Sequence, residues 1–155
     1  MWAVARFHGA LLGVTFGRSL DTTRRVVNVE TGETAVLIDV CEAFWYCEYG
    51  SRQSLAVSSD GSRLYMAVWQ VIVEFDLLKP VGHPAFWRIV AGGSQGRDFH
   101  GFVNGPGHIA RFGNLNGFLS LSPDDKILYF VDRHSNSESM WFRLWLLTVW
   151  RRALI

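Results

Sequence analysis

The chain has 155 residues, 15 Lys+Arg against 14 Asp+Glu, and a formal charge of +1, which excludes the strong basic excess of a dedicated nucleic-acid protein. Hydrophobic residues make up 49% and aromatics 14%, which excludes a wholly disordered chain and supplies one ordinary domain with a core. Lys79 and Lys126 are the only lysines, so cationic contacts fall to arginine, whose planar fork suits bidentate and stacking contacts.

The first predicted unit spans residues 2–40. It opens with "WAVARFHGALLGVTF", two apolar runs flanking Gly9. In "RRVVNVETGETAVLI", Val27 and Val29 alternate with Asn28 and Glu30, Glu30-Thr31-Gly32 turns, and Ala35 to Ile38 is apolar again. The second unit, 54–93, begins with "SLAVSSDGSRLYMA" and continues through "VIVEFDLLKP" to "FWRIVAGG". Val71, Val73 and Phe75 share one face while Glu74 and Asp76 point the other way, the period of a half-buried strand. Pro80, Gly82 and Pro84 punctuate the connection that follows. The third unit, 118–150, begins with "FLSLSPDDKILYFV" and continues with "SMWFRLWLLT", whose Leu146-Leu147 mirrors Leu77-Leu78.

These units are copies. Without a gap, Leu55 meets Leu119, Ser58 meets Ser122, Asp60 meets Asp124, Leu64 meets Leu128 and Tyr65 meets Tyr129. The first unit joins more weakly, with Ala3-Val4 over Ala56-Val57 and Leu12 over Leu64. Helix signals are nearly absent. The predicted fold is all-β: an incomplete β-propeller of about three four-stranded antiparallel blades, the last truncated before its fourth strand. A two-sheet sandwich leaves the repeated "LxxSxDxxxLY" unexplained. The turn pair Asp124-Asp125 is expected to cap its hairpin, with Asp60 in the same part.

Between the second and third units runs a glycine-rich connector, 91–117. "GGSQGRD" lacks the lysine and the following helix of a phosphate loop. His100 and His108 have no Asp, Glu or Cys at close spacing to complete a metal site, so no metal and no cofactor is expected. Phe112 is expected to anchor the connector between blades, and Arg111 to reach Asp132.

Val90-Ala91-Gly92, Gly101-Phe102, Gly105, Gly107, Ala110-Arg111-Phe112 and Gly117 resemble the NHL-repeat class of β-propellers, as do Ser122, Asp124, Leu128-Tyr129 and Asp132. The match is specific from Val90 to Asp132, moderate over 54–93 and faint in the first unit. Asn104 stands where the family's pattern has an acidic residue, and Leu115 where it has proline. The resemblance implies a single partial propeller domain, with a binding face made of blade-to-blade and second-to-third-strand loops. Here those loops carry Arg18, Arg24, Arg25, Trp69, Arg97, His100, His108, Arg133 and His134. Arginine with aromatics suits RNA stacking or a protein hot spot, and the near-zero charge favours protein.

No GxSxG elbow, HExxH helix or paired cysteine set is present. Val4, Val57 and Leu121 give the expected inner strands an apolar lining. The predicted role is therefore a non-catalytic protein-interaction scaffold. The alternatives are an RNA-binding face or the remnant of a propeller hydrolase or lyase. Cys41 and Cys47 are either buried thiols or a disulfide, since the spacing "CEAFWYC" suits neither CxxC metal nor redox chemistry. The tail "MWFRLWLLTVWRRALI" is interrupted by Arg143, Arg151 and Arg152, whereas a spanning helix needs roughly 20 mostly apolar residues, so no transmembrane segment is expected. Too few blades to close a ring, with apolar flat faces, predict a protein partner or self-association.

Overall fold

The computed structural model describes residues 3–7, 10–16, 23–28, 31–39, 54–92, 101–113, 115, 118–133 and 142–148. Among them lie eleven strands and no helix. Strands β1 (Ala3–Phe7), β2 (Ala10–Phe16), β3 (Thr23–Asn28) and β4 (Thr34–Asp39) form one antiparallel meander. Strands β5 (Leu55–Val57), β6 (Arg63–Val68), β7 (Val71–Asp76) and β8 (Trp87–Gly92) form a second. Strands β9 (Leu119–Leu121), β10 (Ile127–Arg133) and β11 (Phe142–Thr148) form a third sheet with β10 in its middle. Among the described residues the fold is thus all-β, with every strand pair antiparallel.

The repeat has an atomic basis in the hairpin that opens the second and third sheets. Ser58 Oγ donates to Asp60 Oδ1 at 2.6 Å, and Ser122 Oγ donates to Asp124 Oδ1 at 2.7 Å. Each serine hydroxyl in turn accepts a backbone amide, from Arg63 and from Ile127, both at 2.9 Å. Gly61 and Asp125 occupy matching left-handed positions, at φ 70° and 56°. A hydroxyl and a carboxylate therefore reinforce each turn alongside its backbone hydrogen bonds, Gly61 to Ser58 and Asp125 to Ser122, both at 2.9 Å.

The two hairpins bring β5 alongside β9, and β5 also meets β1, so the first strands of all three sheets lie together. Between the second and third sheets Tyr65, Ala67, Ile72 and Ala91 pack against Leu119, Leu128 and Phe130. The opposite face of the second sheet buries Leu64, Met66, Val68, Val71, Val73 and Phe75.

That arrangement corrects the half-buried reading of β7. Ile72 and Val73 both lack exposed surface, and Glu74 is buried as well. A stacked sheet has no solvent face, so the second set of alternating residues also enters an interior. Glu74 is tolerated there because Arg88 Nε donates to its Oε1 at 3.1 Å and Arg63 lies 3.8 Å away. Register corrects a second expectation. Tyr129 pairs with Leu146 as Tyr65 pairs with Glu74, so Leu146-Leu147 correspond to Glu74-Phe75 and not to Leu77-Leu78. A longer connection between β10 and β11 hides this in the linear sequence.

Candidate functional site

The connector leaves β8 at Gly92, whose φ of 99° suits glycine. A Cβ at Gly92 would run into the carbonyl oxygen of Gln70, and one at Gly107 into that of Val90. Both glycines are therefore points of backbone contact, and the Gly92 amide donates to the Gly107 carbonyl at 3.0 Å. Residues 101–113 then close on themselves. Val103 and Arg111 exchange both backbone hydrogen bonds, at 3.2 and 3.0 Å. The Ile109 and Ala110 amides both donate to the Pro106 carbonyl, at 2.8 and 2.9 Å.

Arg111 locks this small hairpin. Its Nη1 donates to the carbonyl oxygens of His108, Ile109 and Ala110 at 3.3, 2.9 and 2.8 Å. Asp132 Oδ1 accepts the Gly113 amide at 2.9 Å, so the described tie between connector and β10 runs from carboxylate to backbone. Phe112 is buried between the second and third sheets, edge-on to Phe130 with centroids 5.0 Å apart. A final hydrogen bond of 2.6 Å, from the Leu115 amide to the Trp69 carbonyl, fixes the connector to the β6–β7 turn.

The turn residue Trp69 sits at φ 58°, a costly conformation for a bulky side chain. Its indole packs partly against the core of the second sheet. Trp69-Gln70, Gly92 and Gly107-His108 are therefore contiguous, and they bring two of the sequence-predicted site residues, Trp69 and His108, to one region. His108 is exposed. Arg133 ends β10 at the repeat position of Trp69, and Arg24 lies in β3. Arg25, also in β3, is exposed. Arg18, Arg97, His100 and His134 lie outside the described residues, as do Cys41 and Cys47.

Two features were not legible in the sequence. The connector hairpin exposes Val103 and Ile109, at 45% and 46%, around the Arg111 lock. The carboxylate of Asp125 also leaves its own turn and reaches the previous sheet: it accepts the Ser59 amide at 2.9 Å and the Ser59 hydroxyl at 2.6 Å. Only Asp124 of the Asp124-Asp125 pair is a plain turn cap. Its carboxyl is held down to about 2, chiefly by the Ser122 hydroxyl and then by Lys126. The Tyr65 phenol is pushed well above its ordinary range, first by burial and then by Glu74. Among the described residues no group of three His, Cys, Asp or Glu is placed to hold a metal ion, and no helix is long and apolar enough to cross a membrane.

No family model matches the chain, and neither does any curated protein. A crystal structure of an auxiliary nutrient binding protein from Bacteroides thetaiotaomicron VPI-5482 is similar, with a TM-score of 0.53 at 21% identity. The likeness covers 82% of this chain and 29% of that one, so the chain spans under a third of that protein's length. At that identity the likeness is one of fold.

Proposed function

We propose that the chain is an arc of an NHL-like β-propeller, with its three sheets as blades, and that it serves as a non-catalytic protein-interaction scaffold. Three antiparallel meanders with their first strands side by side support the propeller reading, and so does the connector wedged between two of them by Phe112. The observation that carries the function is the connector hairpin. Arg111 ties three successive carbonyls, so Val103 and Ile109 are held out on a preorganised backbone beside His108 and the Trp69 turn. A partner that buries them has little loop entropy to overcome, and Trp and Arg are the side chains that dominate protein hot spots.

The test is cross-linking in lysate of the source cells, comparing the native chain with Val103→Asp/Ile109→Asp. Proteins captured by the native chain, insensitive to ribonuclease and lost with the double variant, are the expected result. Equal capture by both chains removes the connector from the interface, and capture abolished by ribonuclease favours RNA. The variant must keep the native unfolding midpoint, which the exposure of both residues leads us to expect.

A further inference from the structure

The connector hairpin is fastened at two places. Val103 and Arg111 close its base, and the Pro106 carbonyl gathers the Ile109 and Ala110 amides nearer its tip. Between these fastenings stand Asn104 and Gly105, both exposed. Among the described residues neither the Asn104 carboxamide nor the Gly105 amide has a hydrogen-bond partner. Gly105 sits at φ 151°, a conformation that favours glycine, and it sets no side chain beside its own nitrogen. A carboxamide one residue ahead of an unengaged, unhindered backbone nitrogen is placed to close a five-membered ring with it. The same connector supplies the contrast. Leu115, which follows Asn114, donates its amide to the Trp69 carbonyl at 2.6 Å and is buried, so its nitrogen is both engaged and enclosed.

We propose that Asn104-Gly105 is a self-modifying site. The Gly105 nitrogen gives its proton to hydroxide and attacks Asn104 Cγ. The Cγ–Nδ2 bond breaks, and the leaving nitrogen takes protons from water and departs as ammonia, which regenerates the hydroxide. Water then adds across one of the two imide carbon–nitrogen bonds. Cleavage at Cγ leaves aspartate with the ordinary backbone. Cleavage at the main-chain carbonyl leaves isoaspartate, whose chain runs through Cβ and Cγ. Overall one water is consumed and one ammonia released, and nothing is oxidised or reduced. Both products carry a carboxylate, charged at neutral pH, in place of a neutral amide. Isoaspartate also adds one backbone atom directly after Val103, whose carbonyl accepts the Arg111 amide. The pair that closes the hairpin then loses its register. The connector thus holds a covalent clock beside the exposed Val103 and Ile109. This chemistry is independent of what that face binds.

Incubation of the native chain in warm neutral buffer, followed by trypsin and mass spectrometry, tests the site. The peptide 98–111 lies between Arg97 and Arg111 and contains no other Asn or Gln, so the amide-to-acid mass gain in it reports Asn104 alone. Asn104 is expected to convert at a rate within ten-fold of that in the synthetic 98–111 peptide, and at least ten-fold faster than Asn114. A rate below one-tenth of the peptide's, or less than ten times that of Asn114, overturns the proposal. An Asn104→Gln chain aged alongside is the reference for the hairpin, because glutamine must close a larger ring. Amide hydrogen exchange over 98–111 is expected to quicken on ageing in the native chain and not in the variant. Equal exchange in the two aged chains would overturn the loss of register.

Discussion

Asp125 occupies the left-handed position that the second sheet gives to Gly61. A non-glycine residue there costs roughly 1–2 kcal/mol, less for aspartate than for most. The hydrogen bonds to Ser59 offset that cost and join two hairpins through residues 66 positions apart in the chain. Asp125→Ala keeps the strain and loses the bonds, so it should destabilise by about 2–3 kcal/mol in urea unfolding. Asp125→Gly relieves the strain and should cost about 1 kcal/mol less. A double-mutant cycle with Ser59→Ala should show coupling of at least ~0.5 kcal/mol; additive effects would mean that the contact contributes nothing to stability. The neighbouring Asp124 makes a pH prediction. Its folded carboxyl sits near 2, below the ordinary value of about 3.9. The unfolded chain therefore takes up the proton first. The contribution is complete above pH ~4 and is lost as pH falls toward 2. Asp124→Asn should flatten the acid limb of the thermal midpoint between those values, because it lacks at neutral pH the contribution that the native chain loses in acid; the group is exposed, so solvent screening keeps both effects small.

At the scale of elements, the hairpins were legible because their signal is local. Ser58 and Asp60, or Ser122 and Asp124, sit in one turn and contact each other. Strand burial was not, because it depends on what lies across each face. The alternation in β7 is genuine, yet both sets of residues are interior. Two glycines, Gly82 between β7 and β8 and Gly107 in the connector, show the same division. Gly82 has a φ of 89° with open space around it, whereas Gly107 has no such φ but lies against Val90. Gly82→Ala should cost about 1 kcal/mol, the backbone term alone. Gly107→Ala should cost more than that, because a backbone must move. Equal midpoints in urea for the two variants would contradict the close approach of connector and β8.

Across the whole molecule, stability depends on the sheets burying one another. Phe112 belongs to no strand, yet it is among the most deeply buried side chains and touches both the second and the third sheet through its cluster. Phe112→Ala should cost about 3–5 kcal/mol. It should also split the unfolding transition, because the interface that couples the two sheets is the part removed. Fluorescence and far-ultraviolet circular dichroism in urea should then report different midpoints; coincident curves would place the coupling elsewhere.

The repeat, the all-β class, the turn chemistry and Phe112 as a connector residue could be read from the sequence, because each rests on the spacing of side chains within a few residues. Three other features were decided by tertiary structure. These are the burial of Glu74, the reach of Asp125 to Ser59, and the register that places Leu146 opposite Tyr129. Each depends on which strand or sheet lies alongside. That is set by apolar area removed from water across the whole stack, a quantity no local window contains.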